Sequence, residues 1–239
     1  MALLESENLE DRGSERRRCA HAVEIMGIAG QLDIELTILH KCNMAMTKPI
    51  AEIIWLVGVV GWYIIRHPFA RKSKKLAVRR SLMDRREWML LIIATFGLFV
   101  IPILYITTGL ASALDRQFVP ALAWMGVLVL GAALWLFYRS HADLGRNWSV
   151  SLKLRETHKV VKNGVYRLIR HPMYASFFLL GLGQFLLLPN WLAGCAGLIA
   201  VAIFYSFRVR REEQMMLQQF GGEYSSYQLG TKRIIPWLY

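Results

Sequence analysis

The chain has 239 residues and a net charge of +12, and 55% of its residues are hydrophobic, with a mean hydropathy of +0.33. A soluble domain of this size could not bury so much apolar surface, and a nucleic-acid-binding protein would not alternate its basic residues with long apolar runs. We therefore predict a membrane protein with basic cytoplasmic loops and no nucleic-acid partner.

The first 48 residues differ in composition from the rest of the chain. Acidic residues outnumber Lys and Arg before position 47, whereas Lys and Arg dominate after it. No apolar core follows Arg16-Arg17-Arg18, so the segment is not typical of a secretory signal. We expect residues 1–48 to be a disordered or non-native extension, with Met44 as a natural start, and residues 49–239 to form one membrane domain.

Five apolar segments predict an all-α integral membrane protein with about five transmembrane helices. They lie at 50–65, 88–106, 118–138, 173–188 and 191–207. Arg66-His67-Pro68 predicts the end of the first helix, and Pro102 predicts a kink in the second. Pro189-Asn190 predicts a tight turn, so the last two helices should form an antiparallel hairpin.

Charge in the loops predicts the orientation. Lys and Arg are concentrated at 66–87, at 139–172 and after position 207, whereas 107–117 contains only Arg116 and Pro189-Asn190 contains neither. The basic segments should therefore be cytoplasmic and the N-terminus should lie outside. Because the hairpin returns to the side from which it starts, the polar stretches at its two ends should build a single C-terminal catalytic pocket facing the cytoplasm.

The polar residues at the two ends of the hairpin can bind a zwitterionic ligand. Pro172 favours a helix start, whose first-turn amide groups attract an anion such as a cofactor carboxylate, and His171 and Tyr174 add donors beside it. Arg208 and Glu212 share a helix face. The arginine could hold a carboxylate and the glutamate an ammonium group, although the two side chains could also pair only with each other.

Five polar motifs follow in a fixed order. They are His158-Lys159-Val160-Val161, Gly164-Val165-Tyr166, Arg170-His171-Pro172-Met173-Tyr174, Glu212-Glu213, and the run Phe220-Gly221-Gly222-Glu223-Tyr224-Ser225-Ser226-Tyr227. In this order and spacing they resemble the isoprenylcysteine carboxyl methyltransferase family and the related phospholipid methyltransferases. The resemblance extends over about 144–236. Ser151 stands where eukaryotic members use a glutamine, so that contact of the family is in question.

The resemblance implies an S-adenosylmethionine-dependent methyltransferase that acts on a lipid-borne acceptor, most simply the carboxylate of a C-terminal isoprenylcysteine. It assigns the substrate-side, catalytic role to Arg208. It assigns cofactor contacts to His158, Lys159, Val160, Val161, Tyr166, His171, Pro172, Met173, Tyr174 and Glu212. The enzyme would lie in the inner membrane of a bacterium or in the endoplasmic reticulum of a eukaryote.

Three other functions are compatible with parts of the pattern. A phospholipid amine N-methyltransferase would need a base to deprotonate its acceptor, and the histidines are the only candidates for such a base. Membrane sterol reductases, which use NADPH, have a similar C-terminal pattern, including Arg233-Ile234-Ile235-Pro236. A non-catalytic scaffold would carry the polar stretches only as loops. Cys19, Cys42 and Cys195 form no CxxC pair, so we predict neither a disulfide framework nor a metal site.

Overall fold

The structure is a computed structural model that describes residues 46–74, 80–81, 84–145, 153–154 and 160–236, with side chains at 46–72, 84–145 and 160–236. The predicted N-terminal extension lies almost wholly outside the described residues. From Thr47 onward the chain forms one compact unit.

Seven α-helices make up most of the described part of this unit. They are α1 (Lys48–Lys74), α2 (Arg85–Thr95), α3 (Ile101–Thr108), α4 (Pro120–Leu144), α5 (Pro172–Leu187), α6 (Trp191–Phe220) and α7 (Gly222–Gly230). Two strands of two residues each, β1 (Arg80–Ser81) and β2 (Lys153–Leu154), pair antiparallel. The all-α class is confirmed, because this short pairing is the only sheet among the described residues.

Four stretches of helix are long and apolar enough to cross a membrane: Lys48–Lys72, Arg85–Thr108, Pro120–Leu144 and Trp191–Phe220. The fourth predicted span, 173–188, corresponds to α5, an apolar helix of only 16 residues. Large apolar side chains such as Val57, Leu128 and Trp135 are exposed along these helices. An exposed apolar surface of this kind is suited to lipid, and the protein is an integral membrane protein.

Two predicted breaks differ in the structure. The first helix does not end at Arg66-His67-Pro68 but continues through Pro68 to Lys74. Proline removes only one backbone donor, and a membrane helix can continue past it when the freed carbonyl finds another partner. The expected kink near Pro102 takes the form of a π-helical turn at Phe96–Val100, between α2 and α3, in which the amide of Ile101 bonds to the carbonyl of Phe96.

The predicted hairpin is confirmed, and α5 packs against both α4 and α6. A side chain at Gly181 would place its Cβ 2.9 Å from the backbone nitrogen of Leu198, so only glycine allows these two helices to approach so closely. Gln184, which is fully buried on α5, donates to the carbonyls of Gly97 (3.1 Å) and Ala193 (2.6 Å). These bonds tie the π-helical turn to both arms of the hairpin.

Polar contacts hold the turn of the hairpin at the end of the unit opposite the candidate site. Asn190 caps α6 by accepting from the amide of Ala193 and donates to Asp115 at 2.8 Å. Asp115 also pairs with Lys48 at 3.0 Å. Burial alone would raise the pKa of the Asp115 carboxyl, but the hydrogen bonds from Asn190 and Lys48 hold that pKa below its ordinary value. The Asp115 carboxyl therefore links α1 to the start of α6.

Candidate functional site

The candidate site lies where α5 begins and α6 leaves the predicted span. α6 extends beyond its apolar run, which ends near position 207, and continues as one helix to Phe220, as the predicted common helix face of Arg208 and Glu212 requires. Arg208, Glu212 and Glu213 therefore project from a rigid element rather than from a loop. The chain after α7 returns to the head of α5, where the amides of Arg170 and His171 donate to the carbonyls of Lys232 (2.7 Å) and Arg233 (2.9 Å).

Glu213 is the centre of an ionic cluster at this junction. Its carboxylate lies 3.1 Å from Arg170, 3.1 Å from His171 Nε2 and 2.8 Å from Arg233. Arg170 also donates to the carbonyls of Gln228 and Thr231. The Glu213 side chain is only 7% exposed and that of Arg170 9%, so these charges depend on each other for solvation. The cluster fixes the C-terminal segment and the ring of His171 to α6.

Glu212 faces a different partner. Its Oε2 accepts a hydrogen bond of 2.9 Å from the hydroxyl of Tyr174, in the first turn of α5. The ring of Tyr174 stands edge-on to those of His171 and Tyr205, at centroid distances of 5.6 Å and 5.3 Å. The structure thus brings together His171, Tyr174 and Glu212, three residues that the sequence assigned to the cofactor. Pro172 is buried at the start of α5, and Met173 beside it is half-buried.

Arg208 lies one helical turn before Glu212, yet the two do not form an ion pair. A guanidinium nitrogen of Arg208 is 3.1 Å from Oε1 of Glu87, in the first turn of α2. The guanidinium also stands 4.9 Å from the centroid of the Phe204 ring. The alternative in which Arg208 and Glu212 serve only to pair with each other is therefore wrong, because each has its own partner on another helix.

Tyr166 is held beneath the site by a tight turn. In the 3₁₀ turn Gly164–Arg167, Gly164 has a φ of +58°, and a side chain there would collide with the Asp143 carboxylate, which accepts from the amide of Val165 at 2.9 Å. The hydroxyl of Tyr166 reaches the carbonyl of Ser140 at 3.3 Å. Burial raises the pKa of the Tyr166 phenol well above its ordinary value, so this group remains a neutral donor.

The remaining predicted contacts are only partly described. Val160 and Val161 are half-buried where the described chain resumes. His158 and Lys159 lie outside the described residues, and so does Ser151. Their assignment to the cofactor stays a prediction.

Two acidic residues of the site escaped the sequence reasoning. Glu213 stood in the recognised Glu-Glu pair, but its role as the partner of Arg170 depends on a fold that brings distant segments together. Glu87 has a weak local signal, since it is a lone carboxylate between Arg85-Arg86 and the apolar run that begins at Trp88. An acidic residue that enters a membrane helix and is fully buried there is a candidate for function.

Comparison with known proteins identifies the segment that carries this site. The sequence model of the isoprenylcysteine carboxyl methyltransferase family matches residues 124–218. This stretch of the chain is therefore similar to the isoprenylcysteine carboxyl methyltransferase family. The family segment spans most of α4, all of α5 and nearly all of α6, and it contains Tyr166, His171, Tyr174, Arg208 and Glu212. The resemblance drawn from the sequence motifs is thereby confirmed.

Curated relatives are similar to between 39% and 56% of the chain. Protein-S-isoprenylcysteine O-methyltransferase B of Arabidopsis thaliana is 32% identical over 96 residues, which cover 39% of this chain and 49% of the relative. The Schizosaccharomyces pombe enzyme is 33% identical over 116 residues, covering 47% and 48%. The Homo sapiens enzyme is 28% identical over 141 residues, covering 56% and 50%. The matches therefore span about half the length of these relatives.

A solved structure of a eukaryotic intramembrane Ras methyltransferase, an isoprenylcysteine carboxyl methyltransferase, is also similar. Its sequence is 25% identical, the match covers 65% of this chain and 55% of that chain, and the TM-score is 0.44.

Proposed function

We propose that the protein is an S-adenosylmethionine-dependent methyltransferase that methylates the carboxylate of a lipid-borne acceptor such as a C-terminal isoprenylcysteine. One observation carries the proposal. α6 presents Arg208 and Glu212 one turn apart beside the head of α5, and each has a separate partner, so that an anion-binding group and a cation-binding group stand side by side.

The residues present fit the polar groups of S-adenosylmethionine. Its carboxylate suits the first turn of α5, where free backbone amides and the positive helix end attract an anion and His171 stands adjacent. Its ammonium group suits the Glu212 carboxylate, which Tyr174 already orients through a hydrogen bond of 2.9 Å. Tyr166, Val160 and Val161 would contribute apolar and aromatic surface below. When bound, the cofactor supplies a methyl group on a positively charged sulfur.

Arg208 would hold the acceptor. A guanidinium binds a carboxylate in a two-pronged, planar geometry, and it remains charged at every relevant pH. The bound cofactor would supply its methyl group to a carboxylate oxygen, with the electron pair of the broken carbon–sulfur bond left on sulfur, so that a methyl ester and an uncharged thioether would result. Because such a transfer moves no proton, the site would need no general base.

The protein contributes alignment and exclusion of water. In-line transfer requires the acceptor oxygen, the methyl carbon and the sulfur to be collinear and close, and such positioning supplies much of the rate enhancement in reactions of this type. Moving opposite charges out of water also favours a step that neutralises both. The lipid part of the acceptor would remain between the helices, and the distribution of basic residues supports a cytoplasmic site.

The first test is cofactor binding by the purified protein in detergent. We expect calorimetry to show saturable binding of S-adenosylmethionine, weakened at least tenfold in Glu212→Ala and His171→Ala, because each loses a charged or donor group at the site. The matched control is Glu223→Ala. Glu223 lies on the nearby α7, and its exposed carboxylate is paired with Lys162. This variant should bind as the parent protein does.

The same titration with NADPH distinguishes the reductase alternative. Binding of NADPH without binding of S-adenosylmethionine would contradict the proposal, and so would equal loss of affinity in Glu223→Ala and Glu212→Ala. The family match favours methyl transfer over reduction. Methyl ester formation on N-acetyl-S-farnesylcysteine, measured with radiolabelled cofactor, then tests the acceptor class.

A further inference from the structure

Glu87 is the one fully buried carboxylate among the described residues, and it is not explained by the folding of its own helix. It lies in the first turn of α2, where Asp84 caps the helix by accepting from the amide of Glu87 at 2.8 Å. The cap uses the backbone of Glu87 and leaves its side chain available. That side chain is 0% exposed and points at α6 rather than at water.

The partner of Glu87 is the acceptor-side arginine. Oε1 of Glu87 lies 3.1 Å from Arg208, whose side chain is only 10% exposed. Two charges buried together seldom stabilise a fold more than a pair of apolar side chains would. The pair is therefore better explained by what it does for the guanidinium than by stability.

The pair leaves part of the guanidinium available. Arg208 Nε is buried and has no hydrogen-bond partner among the described residues, and the Glu87 oxygens lie outside hydrogen-bonding geometry. A buried donor without an acceptor is costly, which indicates that another acceptor belongs at that edge of the guanidinium. Glu87 thus pairs with one terminal nitrogen of the Arg208 guanidinium and leaves Nε for a ligand.

The position of Glu87 is coupled to the rest of the site. Leu90, one turn further along α2, belongs to the same buried cluster as Tyr174, Phe204 and Tyr205. The helix that carries Glu87 is therefore packed against the residues that surround Arg208 and Glu212, and its carboxylate cannot shift independently of them.

We propose that Glu87 is a positioning residue that orients Arg208 and moderates its charge toward the methyl acceptor. This inference rests on the proposed function. A fully uncompensated guanidinium would bind the ground-state carboxylate most tightly, but it would also stabilise the negative charge that the reaction consumes. A neighbouring carboxylate lowers that stabilisation while keeping the guanidinium in place.

The proposal predicts a split between two kinetic constants. In Glu87→Gln, kcat for N-acetyl-S-farnesylcysteine should fall by about 10- to 100-fold, because the guanidinium loses its fixed orientation. The KM for this acceptor should stay the same or fall, because a repulsive charge near the acceptor is gone. A merely structural role would instead reduce the number of active sites, so kcat is expressed per site titrated with S-adenosylmethionine.

Two further variants make the result decisive. Glu87→Asp keeps the charge on a shorter side chain and should restore part of kcat, which also covers the case in which Glu87→Gln does not fold. In an Arg208→Gln background, Glu87→Gln should have no additional effect, because Glu87 acts through Arg208. The matched control is Asp84→Asn, which removes a neighbouring charge paired with Arg211 but keeps a side-chain oxygen for the helix cap.

The outcomes separate this inference from the proposed function. If the parent protein neither binds S-adenosylmethionine nor methylates the acceptor, both proposals fall together. If the parent protein is active, three results would show that only the positioning role is wrong. They are a kcat per site in Glu87→Gln equal to that of the parent, a raised KM in this variant, or an effect of Glu87→Gln that adds to the effect of Arg208→Gln. An equal loss of kcat in Asp84→Asn would also overturn it.

Discussion

Glu213 shows how a single carboxylate can organise several segments. It contacts Arg170 and His171, which stand directly before α5, and Arg233 in the segment after α7. Its neighbour Glu212 remains available to a ligand because Glu213 is the partner of these three side chains. The adjacent glutamates therefore have separate tasks, one in holding the frame of the site and the other in the proposed binding of the cofactor.

We expect Glu213→Gln to destabilise the protein by about 3–5 kcal/mol, because it leaves the buried charge of Arg170 without compensation. Thermal unfolding in detergent, followed by intrinsic fluorescence, measures the loss. Glu223→Gln removes a carboxylate that is 54% exposed and should change the unfolding temperature little. A Glu213→Gln protein as stable as this control would show that the cluster does not hold the C-terminal segment.

At the scale of helices, close packing of the hairpin determines where the site residues stand. α5 carries Tyr174 and α6 carries Glu212, and these two side chains meet only because the helices approach closely at Gly181. Near this contact, Gln184 on α5 donates to the carbonyl of Ala193 on α6 and to that of Gly97 in the π-helical turn. The spacing of the membrane helices thus determines the positions of the polar residues at their ends.

We expect Gly181→Ala to cost about 1–3 kcal/mol and to weaken binding of S-adenosylmethionine, because the added methyl group forces the backbones of α5 and α6 apart. The comparison is Gly131→Ala on α4, where a Cβ would meet no atom within 4 Å. Both variants are measured by thermal unfolding and by cofactor titration. Equal behaviour of the two would contradict a role for helix spacing.

On the scale of the whole molecule, two polar ends are separated by an apolar middle. One end contains the Asp115 contacts around the hairpin turn, and the other contains the ionic cluster of Glu213. We predict that the first end faces away from the cytoplasm. In a protein without its native cysteines, Ser112→Cys should react with an impermeant thiol reagent in intact cells. Ser225→Cys should react only after permeabilisation, and the reverse pattern would invert the topology.

Local signals in the sequence predicted those parts of the structure that local interactions determine. Pro172 marks the start of α5, and Pro189-Asn190 forms the expected turn. The motif residues His171, Tyr174 and Glu212 also lie close together, and their contact with the cofactor stays a prediction. The partners of Arg208 and Glu213 could not be predicted in this way, because Glu87 and Arg170 are brought to them by helix packing rather than by spacing along the chain.

The end of an apolar run does not mark the end of its helix. The apolar run of the last span ends near position 207, but backbone hydrogen bonds continue α6 well beyond it, since Arg, Glu, Gln and Met are all good helix formers. Hydropathy reports where lipid should end, not where a helix should end. The same distinction applies to α1, which continues beyond its apolar run and past Arg66-His67-Pro68 to Lys74.

The unbroken course of α6 has a consequence for the bilayer. Its 30 residues measure about 45 Å, whereas the hydrocarbon layer is about 30 Å thick, so roughly its last three turns stand above the acyl chains at a set height. Any tilt imposed by a thicker or thinner membrane would raise or lower Arg208 and Glu212 together as one body. Turnover by the proposed methyltransferase of a substrate anchored at a constant depth would then depend on the acyl-chain length of the surrounding lipid.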